Sequence, residues 1–171
     1  NRVKKLAVNS EIIAALSAGH EVKIIDEDVE PIVYSADWDL VGISAVTFTA
    51  LAAYKIAAEF QKLGVRTVLG GVHPSFLPDE SAQYVSATVI GEAEPVWQQV
   101  LQDAEKKQLH KIYGRDGKIA EMNKIPFPRR DLLPEDKYFT QPIQTTRGCT
   151  NKCQFCYLQT VPWGAYRLRF V

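Results

Sequence analysis

Leu40-Val-Gly-Ile-Ser44 and Thr67-Val-Leu-Gly70, separated by a helix-length amphipathic stretch from Thr49 to Leu63, decide the fold. Both short runs are apolar without alternation, the pattern of strands buried on two faces. Val22-Lys-Ile-Ile-Asp26 upstream and Thr88-Val-Ile-Gly91 downstream have the same character. Between the second and third of these runs the spacing puts Ala52, Ile56, Phe60 and Leu63 on one helix face, with Gly64 placed to end it. Asp79 to Val85 reads as a shorter helix after Pro78. Glu94 to Ala104 reads as another, with Pro95 in its first turn and Val96, Trp97, Val100 and Leu101 as its buried stripe. At the amino end, Val3 to Val8 is a candidate first strand and Ser10 to Ala18 a short helix closed by Gly19. Strands alternating with crossover helices make a parallel sheet, and right-handed crossovers make it doubly wound, so the fold class is α/β.

The composition, 46% hydrophobic and 23% charged with zero net charge, predicts a folded domain with no electrostatic pull toward nucleic acid or anionic lipid. The longest uncharged run, Leu40 to Tyr54, is shorter than the roughly 20 residues a membrane span needs. No membrane span and no clear nucleic-acid surface are therefore expected. A phosphoacceptor receiver domain, the rival doubly wound fold, would want an aspartate where Ser44 ends its strand, and that reading falls.

In an open parallel sheet the ligand crevice lies beyond the carboxyl ends of the strands. Those ends read Ser44-Ala-Val-Thr47-Phe-Thr49, Gly70-Gly-Val-His73-Pro74 and Gly91-Glu92-Ala-Glu94. They offer small residues and hydroxyls, and Gly70-Gly71 would let backbone approach a large flat ligand closely. The same glycines also serve ordinary βα turns.

All three cysteines fall within eight positions, in Arg147-Gly-Cys149-Thr-Asn-Lys-Cys153-Gln-Phe-Cys156-Tyr157. That spacing lets one loop wrap three thiolates around a single object and leave a fourth corner without a protein ligand. Iron–sulfur clusters are held by such thiolates. Structural zinc would need a fourth ligand, and neither a second CxxC pair nor a histidine pair follows. A disulfide would leave one thiol over. Reduced thiols in a cytoplasmic protein are the expectation.

Cys149-x3-Cys153-x2-Cys156, with Phe155 before the last cysteine and Arg147-Gly148 before the first, resembles the signature of the radical S-adenosylmethionine superfamily. The resemblance implies a 4Fe-4S cluster ligated by Cys149, Cys153 and Cys156, with S-adenosylmethionine on the fourth iron and its cleavage to a 5′-deoxyadenosyl radical. Gln141 to Thr146 would then be the first strand of an α/β barrel, and Trp163 to Val171 the helix after the cluster loop or a truncated end. Gly19-His-Glu-Val-Lys-Ile-Ile-Asp26, Asp39-Leu-Val-Gly-Ile-Ser44, Gly70-Gly-Val-His-Pro-Ser75 and Val89-Ile-Gly-Glu-Ala-Glu94 resemble the Rossmann-like cobalamin-binding domain that precedes this barrel in one large class. By that resemblance Ser44, Thr47, Thr49, Gly70, Gly71, His73, Gly91 and Glu92 line the corrin and its nucleotide tail. The Asp-x-His-x-x-Gly motif of other cobalamin domains is absent, so no histidine is assigned to cobalt, and His20 and His110 are read as structural.

The expected organisation is a cobalamin-binding-like domain over residues 1–124, a proline-rich linker over 125–140, and the start of the barrel over 141–171. Gly114-Arg-Asp-Gly117 is expected to turn a hairpin between Ile112 and Ile119. Pro126, Pro128 and Pro134 mark an extended connector, with Arg129 and Arg130 expected to be solvated, the alternative being contact with either cofactor's phosphates. Fifteen residues follow Cys156, whereas a barrel takes about 200 or more; the expectation is an amino-terminal portion that does not turn over alone. The implied parent enzyme is a cobalamin-dependent radical methyltransferase, drawing electrons from a reductase and acting on a small-molecule or other unidentified substrate. A radical cyclase, oxidase or rearrangement enzyme, or a non-catalytic cobalamin-binding module with a structural metal site, are the alternatives.

Overall fold

The computed structural model describes residues 5–8, 10–140 and 143–170. Six parallel strands form one sheet in the order β2-β1-β3-β4-β5-β6: β1 Lys5–Val8, β2 Glu21–Ile24, β3 Leu40–Ser44, β4 Arg66–Gly70, β5 Ala87–Val89 and β6 Ile112–Tyr113. The helices are α1 Glu11–Leu16, α2 Ala50–Lys62, α3 Val72–Phe76, α4 Pro78–Ser81 and α5 Trp97–Glu105. The candidate first strand is present from Lys5, paired with both β2 and β3; its proposed start at Val3 lies outside the described residues.

Strand alternation sorts the core into two layers. Leu40 and Val68 face one way, packing with Ala14 of α1 and with Trp97, Val100, Leu101 and Ala104 of α5. Their neighbours Val41 and Leu69 face the other way, toward α2, where Phe60, Ala53 and Ala57 are buried. Helices thus cover both faces, as double winding requires. Between α1 and α5 the polar atoms are paired through one relay: the Trp97 indole N–H donates to Ser17 Oγ at 2.8 Å, and that hydroxyl donates to the Ile13 carbonyl at 2.7 Å.

Helix α2 is rotated from the expected face. Ala52 and Leu63 are exposed, and the buried stripe is Ala50, Ala53, Tyr54, Ala57 and Phe60. A 3₁₀ turn at Thr47–Thr49 feeds the helix. Small alanines let it lie close to the sheet, while Tyr54 turns inward because its hydroxyl finds His73 Nε2 at 2.9 Å. Gly64, at φ +78, ends the helix as expected, with Val65 N–H reaching back to the Phe60 carbonyl and Gly64 N–H to the Gln61 carbonyl.

The expected hairpin does not form. Gly114 to Gly117 does turn, but Ile112–Tyr113 joins the sheet in parallel beside β5 while Ile119 is exposed. Tyr113 is drawn inward: its hydroxyl donates to Asp103 Oδ2 at 2.8 Å and accepts from the His110 N–H at 3.0 Å. The proline-rich connector is a strap rather than a free spacer. Ile125 is buried with Ala120 and Met122, Arg129 N–H bonds the Glu11 carbonyl, Leu132 and Leu133 pack on the core, and Tyr138 donates to Asp26 at 2.8 Å.

No barrel strand is present in the described part of the cysteine region. Thr146–Arg147 (β7) instead pairs antiparallel with Arg167–Leu168 (β8), and a 3₁₀ turn at Pro162–Gly164 replaces the suggested helix. The ribbon closes on itself because glycines allow backbone contact: a Cβ on Gly148 would meet the Ala165 carbonyl oxygen, and one on Gly164 would meet that of Leu158.

Removing the hydroxyl in Tyr113→Phe should cost about 1–3 kcal/mol, because the buried Asp103 carboxylate loses a donor. Urea unfolding of the variant against the parent chain measures this, and an unchanged midpoint would refute the assignment.

Candidate functional site

The carboxyl ends of β3, β4 and β5 open into a cavity of about 490 Å³, within the range of small-molecule sites. Its wall includes Gly42, Ser44, Gly70, Gly71, Val89 and Gly91 from the sheet, Ser10, Ile12 and Ile13 at α1, Trp97 of α5, and Glu94, Gln144 and Arg147. A second hollow of about 320 Å³ shares Gly42, Ile43 and Ser44 but lies toward β2, with an apolar floor at Ile56 and Phe60 and a rim of Asp26, Glu27 and Asp28. Tyr138 stands at that rim; burial and the Asp26 carboxylate push its phenol up to about 12.

The three expected glycines line the larger cavity for different reasons. Gly71 sits at φ +102 with no room for a Cβ against the Ala45 backbone, and Gly91 at φ +72 is covered by the Trp163 ring. Both are required by the chain's own packing. Gly70 has neither constraint: a Cβ there would meet only Val89 Cβ, at 3.9 Å. Its missing side chain keeps the cavity open, as expected of a strand glycine where a ligand comes close.

The other expected residues are placed as follows. Ser44 lines both hollows and Thr49 the smaller one, with Thr49 Oγ1 also bonded to the Val46 backbone. Thr47 is exposed and lines neither. His73 is buried away from the cavity in a knot with Tyr54, whose hydroxyl also donates to Glu80 at 3.1 Å and touches Ser81 at 3.1 Å. With Tyr54 donating to Glu80, His73 Nε2–H is the donor to Tyr54, and Nδ1 is left without a partner. Burial, and then the Glu80 bond acting against that of Ser81, raise the Tyr54 phenol.

Glu92 has a different task. Arg167 grips both its oxygens, at 2.7 and 2.8 Å, Arg147 bonds Oε1 at 3.0 Å, and the Ala120 N–H bonds Oε2 at 2.6 Å. Arg147 also bonds Glu94 at 2.5 Å. All four side chains are nearly buried, from 9 to 15% exposed. Burial alone would raise the Glu92 carboxyl, but the bonds from Arg167, the Ala120 amide and Arg147 outweigh it and hold it below its ordinary 4.5. Burial likewise opposes the charge on Arg147, and Glu94 and Glu92 overcome it. This network ties the cysteine ribbon to the end of β5.

Cys149 and Cys156 are half-buried, Cys153 is exposed, and all three are free thiols. Cys149 N–H bonds the Gly164 carbonyl, and Cys156 N–H turns back to the Cys153 carbonyl at 3.1 Å. As a donor set, three unbridged thiols in one turning loop suit an iron–sulfur cluster. Among the described residues no three ligating side chains are yet gathered around one point. No helix among them is long and apolar enough to cross a membrane.

Arg147, Gln144 and Trp97 also wall the cavity, which their places in the sequence did not suggest, whereas Glu94 lies at a strand end expected there. Arg147 had a signal, since it precedes Gly148 and the first cysteine, but its partners Glu92 and Glu94 lie more than fifty residues away.

A parallel α/β sheet with a glycine-lined cavity at its strand ends defines a small-molecule-binding domain of the doubly wound class. The profile of the B12 binding domain matches residues 4–101, and the chain belongs to that family. It is 34% identical over 159 residues to the bacteriochlorophyllide d C-8(2)-methyltransferase of Chlorobaculum tepidum, and 29% identical over 172 residues to the C-12(1)-methyltransferase of the same organism. These alignments cover 88% and 96% of the chain but only 35% and 38% of those proteins. An uncharacterized methyltransferase of Pyrococcus horikoshii is 32% identical over 169 residues, covering 80% of the chain and 37% of that protein. No solved structure matches significantly.

The depressed Glu92 carboxyl gives the ribbon a definite acid response. A group whose pKa falls on folding contributes stability that is complete above its unfolded value, here about 4.5, and lost as pH drops through the folded value. Hydrogen-exchange protection of the Arg147–Cys149 amides should therefore persist at the ordinary glutamate pKa and collapse below it. In Glu92→Gln that acid step should vanish, and the ribbon should loosen at neutral pH by on the order of 3–5 kcal/mol, the cost of taking the carboxylate from buried Arg167 while Arg147 keeps Glu94.

Proposed function

We propose that this chain is the cobalamin-binding and cluster-bearing part of a radical S-adenosylmethionine methyltransferase that methylates an unactivated carbon. The observation that carries the reading is the placement of a three-cysteine ribbon at the carboxyl edge of a B12-family sheet, beside the strand-end cavity. The methyltransferase names of the relatives support the reaction type.

Gly70 and Gly42 keep the sheet side of the cavity shallow enough for backbone to meet a flat cofactor, and Ser44 offers a hydroxyl at the shared wall. Cys149, Cys153 and Cys156 would ligate the cluster, and the turn from Cys149 to Cys156 is the segment that would tighten around it. When bound, cobalamin supplies a cobalt that accepts and donates methyl, and the cluster with S-adenosylmethionine supplies the radical chemistry that activates carbon. Arg147 and Glu94 form one wall of the cavity, and the pairing of their charges leaves that wall electrically balanced. An electron-donating partner protein and a substrate bound by the remainder of the enzyme complete the scheme.

Two substitutions test separate halves of it. Cys153→Ala, reconstituted anaerobically, should lose iron and sulfide relative to the parent chain; full retention would refute the cluster. Gly70→Leu should fold, because its Cβ meets only ordinary contact, yet bind hydroxocobalamin at least about tenfold more weakly, since a side chain would fill the cavity. Unchanged affinity in a visible-absorption titration would remove the cavity from the cofactor site.

A further inference from the structure

The strand-end cavity is not walled by the sheet domain alone. Gln144 and Arg147 of the cysteine region line it together with Glu94. Arg147 holds Glu94 with one arm and Glu92 with the other, so its planar fork is fixed in one plane. Two residues later comes Cys149. Between them Gly148, at φ +77, has no room for a Cβ against Ala165, and the Cys149 amide is bonded to Gly164. From guanidinium to first thiol-bearing residue there is little slack. One side chain is thus both a wall of the cavity and the root of the cysteine loop.

We propose that Arg147 is a positioning residue that links the two cofactor sites: docked on Glu92 and Glu94, it makes occupancy of the cavity and order of the cysteine loop stabilise each other. The inference rests on the cobalamin reading above and adds a coupling to it. Linkage is reciprocal, so a ligand that binds better to the docked ribbon must also hold the ribbon more firmly docked. Arg167 carries the ribbon's second attachment, gripping both Glu92 oxygens from β8, which is why loss of Arg147 alone should loosen the root without unfolding the sheet.

The test uses the whole chain with hydroxocobalamin as probe, measuring affinity by visible titration and hydrogen exchange at residues 146–149 with and without the probe. In the parent chain the probe should slow exchange at the ribbon. Arg147→Gln should weaken binding by about tenfold and abolish that slowing. Arg147→Lys, which keeps the charge but not the fork, should recover part of both, and Arg129→Gln, at an exposed arginine paired with Asp131, should change neither. If Arg147→Gln does not fold, Glu94→Gln takes its place, since it spares the bond to Glu92. A variant with a loosened ribbon but undiminished affinity would overturn the coupling, as would parent-chain exchange that ignores the probe. If the parent chain binds no cobalamin, the cofactor reading itself falls and the coupling with it; the two failures are therefore distinguishable.

Discussion

The Glu92 carboxylate, held by two guanidinium groups and one amide at the end of β5, is the constraint on which the arrangement of the chain depends. A carboxylate taken this far from water is tolerable only when its lone pairs are filled, and here Arg147, Arg167 and the Ala120 amide fill them. Each of those partners comes from a different stretch beyond the sheet. One side chain therefore joins the stretch before the strap, the ribbon and the carboxyl end of β5 at a single point. Without it the cysteine region would retain the Arg147–Glu94 pair, the bonds of Arg169 to the Ile125 carbonyl and of Phe170 to Asn123, and the two-residue pairing of β7 with β8, but would lose the one group that holds both ribbon arginines.

The sheet was legible because its cause is local. Continuous apolar runs at Leu40 and Thr67, with Gly64 between them, carry strand, helix and stop signals within a few residues of each other, and the structure has those elements nearly where the runs lie. What failed to show in the sequence was set from a distance. The rotation of α2 depends on Tyr54 meeting His73, nineteen positions away, and the loss of the hairpin depends on Tyr113 finding Asp103 on α5. Likewise His73 stands in a turn that reads like a ligand-facing one, yet its ring is captured by an inward tyrosine.

The site was legible by composition more than by role. Gly70, Gly71 and Gly91 do gather at one cavity, but only the missing Cβ environment separates Gly70, which leaves space, from the other two, which make room for the chain itself. Glu92 illustrates the same limit: an acidic residue at a strand end is a reasonable ligand neighbour, and nothing within ten residues announces the arginines that occupy it. Conversely Arg147-Gly148 before the first cysteine, met in the sequence as part of a signature, acquires a physical meaning: the arginine docks the ribbon and the glycine lets it close.

The proposed role makes one demand above all on a B12-family chain with three free thiols, that a cluster and cobalamin be held together by it. The absorption spectrum of the anaerobically reconstituted chain, taken with and without cobalamin, tests this most directly. The account predicts a brown protein with the broad visible absorption of an iron–sulfur cluster, overlaid by bound corrinoid bands that survive gel filtration. A colourless protein that retains zinc and releases all cobalamin would contradict it.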